Sequence, residues 1–163
     1  MKKTPTLLMK ELKYIEEEIK RLYNEDVTNS YAPLNSNMTF KYKPNYSYEQ
    51  NHQELTELYK EELAIRSVLA KFNNETKADG TDLTIQEALV KIGQLKNEIK
   101  YLTILLDRKE YFTEKNSYYG EVITNKVLYE ANKVQEDLKA CQKELSKLQM
   151  AIDRTNLTTF IDC

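Results

Sequence analysis

The chain has 163 residues, and its 24 basic and 26 acidic side chains nearly balance to a net charge of −2. This balance argues against a dedicated nucleic-acid-binding protein, whose affinity comes largely from neutralising phosphates. Three Gly and three Pro leave little material for an all-β fold, and the length suits a single domain over residues 1–163.

The first predicted helix runs from Thr6 to Asp26. Thr4 is placed to be its N-cap, and Pro5 takes the first helical position, where its missing N–H costs nothing. Apolar residues then follow the spacing of a coiled-coil stripe: Leu8, Leu12, Ile15, Ile19 and Leu22. In the connector that follows, residues 27–47, the alternation of Met38–Lys43 predicts a short strand that ends at Pro44.

The second helix is predicted to begin at Ser47, which forms a capping box with Gln50. Its apolar seam is interrupted by Glu62 and comprises Leu55, Leu58, Ile65, Leu69 and Phe72. We expect this helix to end at Asn73 or Asn74, because Asn tolerates the left-handed conformation that closes many helices.

The second half of the sequence predicts two more helices. A capping box, Thr84 to Glu87, begins the third helix, which fades after Lys109 and has a wider apolar face than the first. The connector Glu110–Leu128 contains a strand-like piece, Tyr118–Val127. The fourth helix opens between residues 130 and 132 and runs to about Thr155, with a seam at Val134, Leu138, Cys141, Leu145, Leu148 and Ile152. The tail, residues 158–161, is predicted to be extended.

The chain contains an internal repeat. The helix end Val68–Asn73 returns 83 residues later as Ala151–Asn156, which divides the chain into halves 1–79 and 80–163. We therefore predict a mainly α fold of two antiparallel helical hairpins that form an elongated four-helix coiled-coil bundle, with short β elements in the connectors. The helix-end residues Asn73 and Asn156 could meet across a pseudo-twofold axis.

Tyrosines are concentrated near the connectors, which hold or adjoin eight of the twelve in the sequence. Such aromatic residues can pack short β pieces together, cover the end of a bundle, or present a binding surface. The candidate interaction tips are Phe40, Tyr42, Tyr46, Tyr118 and Tyr119. Residues 40–46 alternate lysine with aromatic residues as single-strand binders do, but two lysines are too few to favour nucleic acid.

Residues that carry chemistry are scarce. The single histidine lies in Glu49-x-x-His52, the spacing of helical di-iron ligands, but that site needs a second such motif. Cys141 is interpreted as a seam residue and Cys163 as an exposed thiol, with a disulfide as the alternative. The sequence also has no Gly-rich phosphate loop and no Gly-x-Ser-x-Gly. We expect no catalytic residue, metal or cofactor, and a protein that is not an enzyme.

The sequence resembles a family of small bacterial helical proteins labelled septicolysin-like. The resemblance rests on Thr84–Leu89, on Leu69-x-x-x-Asn73, and on Leu148-Gln149-x-Ala151-Ile152-Asp153-x-x-Asn156. It covers most of the chain and is weakest in residues 27–47. The family name implies a pore-forming or lytic toxin, and the resemblance supplies no catalytic residue.

Three functions follow as hypotheses. The leading one is a non-enzymatic coiled-coil structural or interaction protein that self-associates, because four amphipathic helices, with a wide face on the third, leave apolar surface to cover. The alternative is the membrane-active protein that the resemblance implies, and the third is a chaperone-like clamp for unfolded chains. Since Met1-Lys2-Lys3 is followed by no apolar signal segment and no apolar run is of membrane length, we expect a cytoplasmic location.

Overall fold

The computed structural model describes residues 2–115, 120 and 122–162, and within them the fold is mainly α with short antiparallel strands. The helices are α1 (Pro5–Asn29), α2 (Tyr48–Glu75), α3 (Ile85–Leu106) and α4 (Ala131–Thr158). The strands are β1 (Lys2–Lys3), β2 (Tyr111–Lys115), β3 (Val122–Lys126) and β4 (Ile161–Asp162). The predicted mainly α class with four helices is confirmed at this level. None of the described helices is long and apolar enough to cross a membrane.

Two compact units make up the chain. Unit 1 consists of Met1–Asn73 with Asn156–Cys163, and unit 2 consists of Asn74–Thr155. The C-terminal tail therefore belongs with the N-terminal helices, whereas the predicted repeat kept it in the second half. The single domain and the halves 1–79 and 80–163 stay a prediction.

Unit 1 is built around an antiparallel pair of helices. Glu16 of α1 accepts from Arg66, late in α2, at 2.6 Å. Further along α1, Arg21 contacts Glu54, early in α2, at 3.4 Å, so the two helices run in opposite directions. Between the helices lies an apolar cluster formed by Ile15, Ile19, Leu22 and Leu55, with Leu58 and Ile65 packed against it. These packed residues all belong to the apolar stripes that the sequence places on the first two helices.

The C-terminal tail of the chain pairs with the first residues of unit 1. In an antiparallel pair, Lys2 faces Asp162 and Lys3 faces Ile161. The Oγ1 of Thr6 donates to the main-chain oxygen of Asn156 at 3.0 Å. Thr4 caps α1 as predicted, because its hydroxyl accepts from the Leu7 N–H at 3.3 Å.

Unit 2 contains the second pair of helices. The predicted capping box is present: Thr84 Oγ1 accepts from Glu87 N at 3.2 Å, and Thr84 N donates to Glu87 Oε2 at 2.8 Å. The hydroxyl of Tyr129 donates to the Leu105 carbonyl, and Asp79 N donates to Thr155 Oγ1 at 2.9 Å. These contacts join the end of α3 to the start of α4 and the loop before α3 to the end of α4.

The predicted strand over residues 38–43 is wrong in extent, because only one bridge forms there, between Leu34 and Phe40. Met38 adopts a left-handed backbone (φ 63°), which turns the chain back on itself before a ladder can extend. In the second connector β2 and β3 pair from Tyr111 opposite Lys126 to Lys115 opposite Val122. Of the predicted strand 118–127, the structure describes Gly120 and residues 122–127.

Candidate functional site

The connector between α1 and α2 is an ordered turn, and its residues 31–46 are called the aromatic loop. Asn35 N donates to Thr39 O at 2.7 Å, and Met38 N donates to Asn35 O at 2.9 Å. Lys41 N extends the pairing to Pro33 O at 2.9 Å. The loop therefore has its own hydrogen-bonded backbone rather than an irregular path.

Asparagine side chains fix the turn further. Asn37 Oδ1 accepts from Thr39 N at 3.2 Å and from Thr39 Oγ1 at 2.6 Å. Asn35 Nδ2 donates to Thr39 Oγ1 at 3.1 Å. Short polar side chains next to a turn commonly bind nearby main chain in this way. They hold Met38 in a conformation that costs a residue with a Cβ about 1–2 kcal/mol.

The apolar side chains of the aromatic loop point to solvent. Met38 is 75% exposed, Tyr42 66% and Phe40 55%. The only charged residues from 27 to 47 are Lys41 and Lys43, and the Lys43 ammonium lies 5.9 Å from the centre of the Phe40 ring. The exposed tip of unit 1 is thus apolar, aromatic and positively charged.

Tyr46 has a different role from Phe40 and Tyr42. Its hydroxyl donates to Asp26 Oδ1 at 2.7 Å, and the same oxygen accepts from Asn51 Nδ2 at 3.1 Å. The hydrogen bond to Asp26 raises the pKa of Tyr46 to about 12, with burial adding to the effect. These three residues, called the Asp26 anchor, hold the base of the aromatic loop against α1 and α2.

Sequence reasoning missed the Asp26 anchor, although one signal for it was present. Asn51 is only 7% exposed and lies four residues before Leu55, so the apolar seam of α2 extends back onto a polar side chain. A buried amide needs a hydrogen-bond partner. The sequence does not reveal that this partner is Asp26, 25 residues earlier.

The other candidate tip residues, Tyr118 and Tyr119, lie outside the described residues. The hairpin that leads to them exposes Tyr111 and Val122, and the Lys126 ammonium lies 5.3 Å from the centre of the Tyr111 ring. The two connectors therefore share exposed aromatic rings next to lysine, but only the first is described as far as its turn.

The helix-end asparagines lie within unit 1. Asn156 Oδ1 is buried and has no hydrogen-bond partner in the described part of the chain. The main-chain oxygen of Asn156 accepts from Thr6 instead. The meeting of Asn73 and Asn156 stays a prediction.

A second surface feature of unit 1 is an apolar cleft, called the α1–α2 groove. It is bounded by residues 8–15 of α1 and 61–68 of α2, with Lys3 at one end. Its volume is about 700 Å³. Ala64, an exposed residue, lies midway along the α2 wall, between Glu61 and Val68.

Residues with reactive or metal-binding side chains are dispersed. Cys141 is buried on α4, and burial followed by the charge of Glu98 raises the pKa of its thiol, which opposes formation of a nucleophilic thiolate. His52 stacks on Tyr48 at 5.6 Å between ring centres. Within the described residues, no three His, Cys, Asp or Glu side chains converge as metal ligands would. Cys163, the other predicted thiol, lies outside these residues.

Comparison with known proteins concerns the fold. No protein-family model matches the sequence, and no curated protein is similar to it in sequence. The structure is similar to the crystal structure of a functionally unknown conserved protein from Corynebacterium diphtheriae, with a TM-score of 0.72. The alignment covers 99% of this chain and 100% of that chain at 15% identity. At this identity the likeness shows a shared mainly α fold.

Proposed function

We propose that the chain is a non-enzymatic, self-associating structural and interaction protein of the cytoplasm, and that the aromatic loop contacts its partners. The observation that carries this proposal is an ordered turn that exposes Met38, Phe40 and Tyr42. An ordered loop loses little conformational freedom on binding, and aromatic side chains are frequent anchors of interfaces.

The backbone conformation and the exposure of Met38 support this proposal. The residue is held at a positive φ, and three quarters of its surface faces water, so its side chain gains little from packing within the chain. Asn or Gly would fit the same backbone with less strain. A contact with another molecule would bury the methionine side chain, which the fold itself leaves exposed to water.

The proposed architecture joins the two helical hairpins into one elongated four-helix coiled-coil bundle. The support for this is the heptad spacing of the apolar residues in all four helices. Small-angle X-ray scattering of the monomer or oligomer would test it, and a scattering profile of a compact sphere would contradict an elongated bundle.

Self-association is tested by absolute mass from light scattering on a sizing column, over a wide range of protein concentrations. We expect a discrete oligomer. A monomer at every concentration would contradict self-association and leave the proposed role of the aromatic loop to be judged separately.

The role of the aromatic loop is tested by capture of partners from native cytosol with two matched variants. Tyr42→Ser removes an exposed ring from the loop, whereas Tyr101→Ser removes an exposed ring from α3. We expect captured proteins to be lost with the first variant and retained with the second. Equal retention with both would contradict recognition by the loop.

Membrane contact is the second candidate function, and it is the activity that the septicolysin-like resemblance implies. Its support is the charge of residues 27–47, which contain two lysines and no acidic residue beside exposed apolar side chains. Basic and aromatic residues together are typical of binding to anionic bilayer surfaces. Cosedimentation with phosphatidylserine vesicles, but not with phosphatidylcholine vesicles, would support it, and dye leakage would extend it to lysis. Absence of binding to both would contradict it.

A further inference from the structure

The α1–α2 groove leaves apolar surface of unit 1 in contact with water. Leu8 and Ile15 form its buried floor, and Ile65 and Val68 form a half-buried wall. Tyr14 stands at its edge with 63% of its surface exposed. A concave cleft with apolar walls and a few charged groups at its rim is a common form of binding site.

The rim of the groove carries balanced charge. Lys3 and Glu11 form an ion pair of 2.8 Å within the chain. Lys10 and Glu61, on opposite walls, form no ion pair with any residue that the structure describes. A neutral rim of this kind gives no advantage to a strongly anionic or cationic partner, whereas one unpaired charge of each sign suits a surface that binds its own copy.

We propose that the α1–α2 groove is occupied by the same groove of a second copy, in a twofold-symmetric dimer. In such a dimer every contact occurs twice, and the proposed pairing sets Lys10 of each copy against Glu61 of the other. The exposed ring of Tyr14 enters the opposite groove, where an aromatic anchor is most effective. The inference rests on the proposed self-association and names the surface that carries it.

The first test places a charge on the wall of the groove. Ala64→Glu keeps a good helix former at an exposed position of α2, so the monomer should fold, but it fills the groove with a carboxylate. We expect the dimer dissociation constant to rise at least about tenfold, from the cost of burying an unpaired charge. Leu63→Glu is the matched control, because Leu63 is exposed on α2 outside the groove, and it should leave the dissociation constant within about twofold of the parent protein, as expected for a position with no partner contact.

The second test exchanges the two rim charges. Lys10→Glu or Glu61→Lys alone should weaken the dimer by about fivefold, and the double variant should restore it to within about twofold, because each pair is then re-formed with opposite sign. Light scattering and sedimentation of the full chain give the constants, and circular dichroism confirms that each variant is folded.

The outcomes separate the two proposals. A dimer whose constant is unchanged by Ala64→Glu would overturn the groove as the interface and leave self-association intact. If the double variant does not regain the dissociation constant of the parent dimer, the pairing of Lys10 with Glu61 is overturned. A parent protein that is monomeric at all concentrations would overturn both self-association and the groove dimer.

Discussion

Removal of the carboxylate in the Asp26 anchor gives the most direct test of how the aromatic loop is held. Asp26→Ala deprives Asn51 Nδ2 of the acceptor that lies 3.1 Å away, and Asn51 is buried. A buried donor without a partner costs about 1–3 kcal/mol. We therefore expect the free energy of unfolding to fall by about 2 kcal/mol from Asn51 alone, with the lost bond from Tyr46 adding to this.

Urea unfolding followed by circular dichroism measures this cost as a shift in midpoint with an unchanged slope. The control is the same change in an Asn51→Leu background. There no buried amide is left unpaired, because an apolar side chain now occupies the seam position, and Asp26→Ala should cost only the bond from Tyr46, about 1 kcal/mol. An equal cost in both backgrounds would refute the reasoning, since the penalty would then have nothing to do with Asn51.

Three further predictions concern the loop and the helix caps. Met38→Val should destabilise the protein by about 1 kcal/mol or more in urea unfolding, because a β-branched residue tolerates positive φ poorly, whereas Met38→Asn should not destabilise it. The pKa of Tyr46 is raised from 10.0 to about 12, so the bond to Asp26 stabilises the fold below pH 10 and is lost as the pH rises through about 12. Alkaline titration of stability should show this loss in the parent protein but not in Tyr46→Phe. Thr84→Ala should lower the melting temperature more than Thr4→Ala, because only Thr84 belongs to a reciprocal capping box.

Helix starts and seams could be predicted from the sequence because their causes are local. Thr4 and Thr84 accept hydrogen bonds from the residue three positions later, so both partners lie within one short sequence motif. Ser47 likewise accepts from Gln50 N at 3.4 Å. The helix ends were less accurate, since α1 continues to Asn29 and α4 to Thr158. No Gly or Pro immediately follows either end, so the sequence does not mark where the last turn stops.

The aromatic loop shows why an alternation of apolar and polar residues is not enough to predict a strand. A strand needs a partner with which to exchange hydrogen bonds, and periodicity does not show whether one exists. In residues 35–39 the Asn37 side chain accepts from the Thr39 N–H and the Asn35 side chain donates to the Thr39 hydroxyl, and a turn replaces the ladder. Phe40 and Tyr42 are exposed, whereas the hydroxyl of Tyr46, with the same local signal in the sequence, is bonded to Asp26.

Which apolar surface stays uncovered depends on how the helices pack, and the sequence alone does not give that packing. The spacing of apolar residues placed the uncovered surface on the wide face of α3, where Leu89 is 43% exposed. The α1–α2 groove is a different surface, lined by Leu8, Ile15 and Ala64 of the first two helices. Leu89→Glu and Ala64→Glu therefore distinguish the two origins of self-association. If Leu89→Glu alone lowers the mass measured by light scattering, the wide face of α3 is the interface, and the charge balance around Ala64 belongs to an ordinary solvated surface.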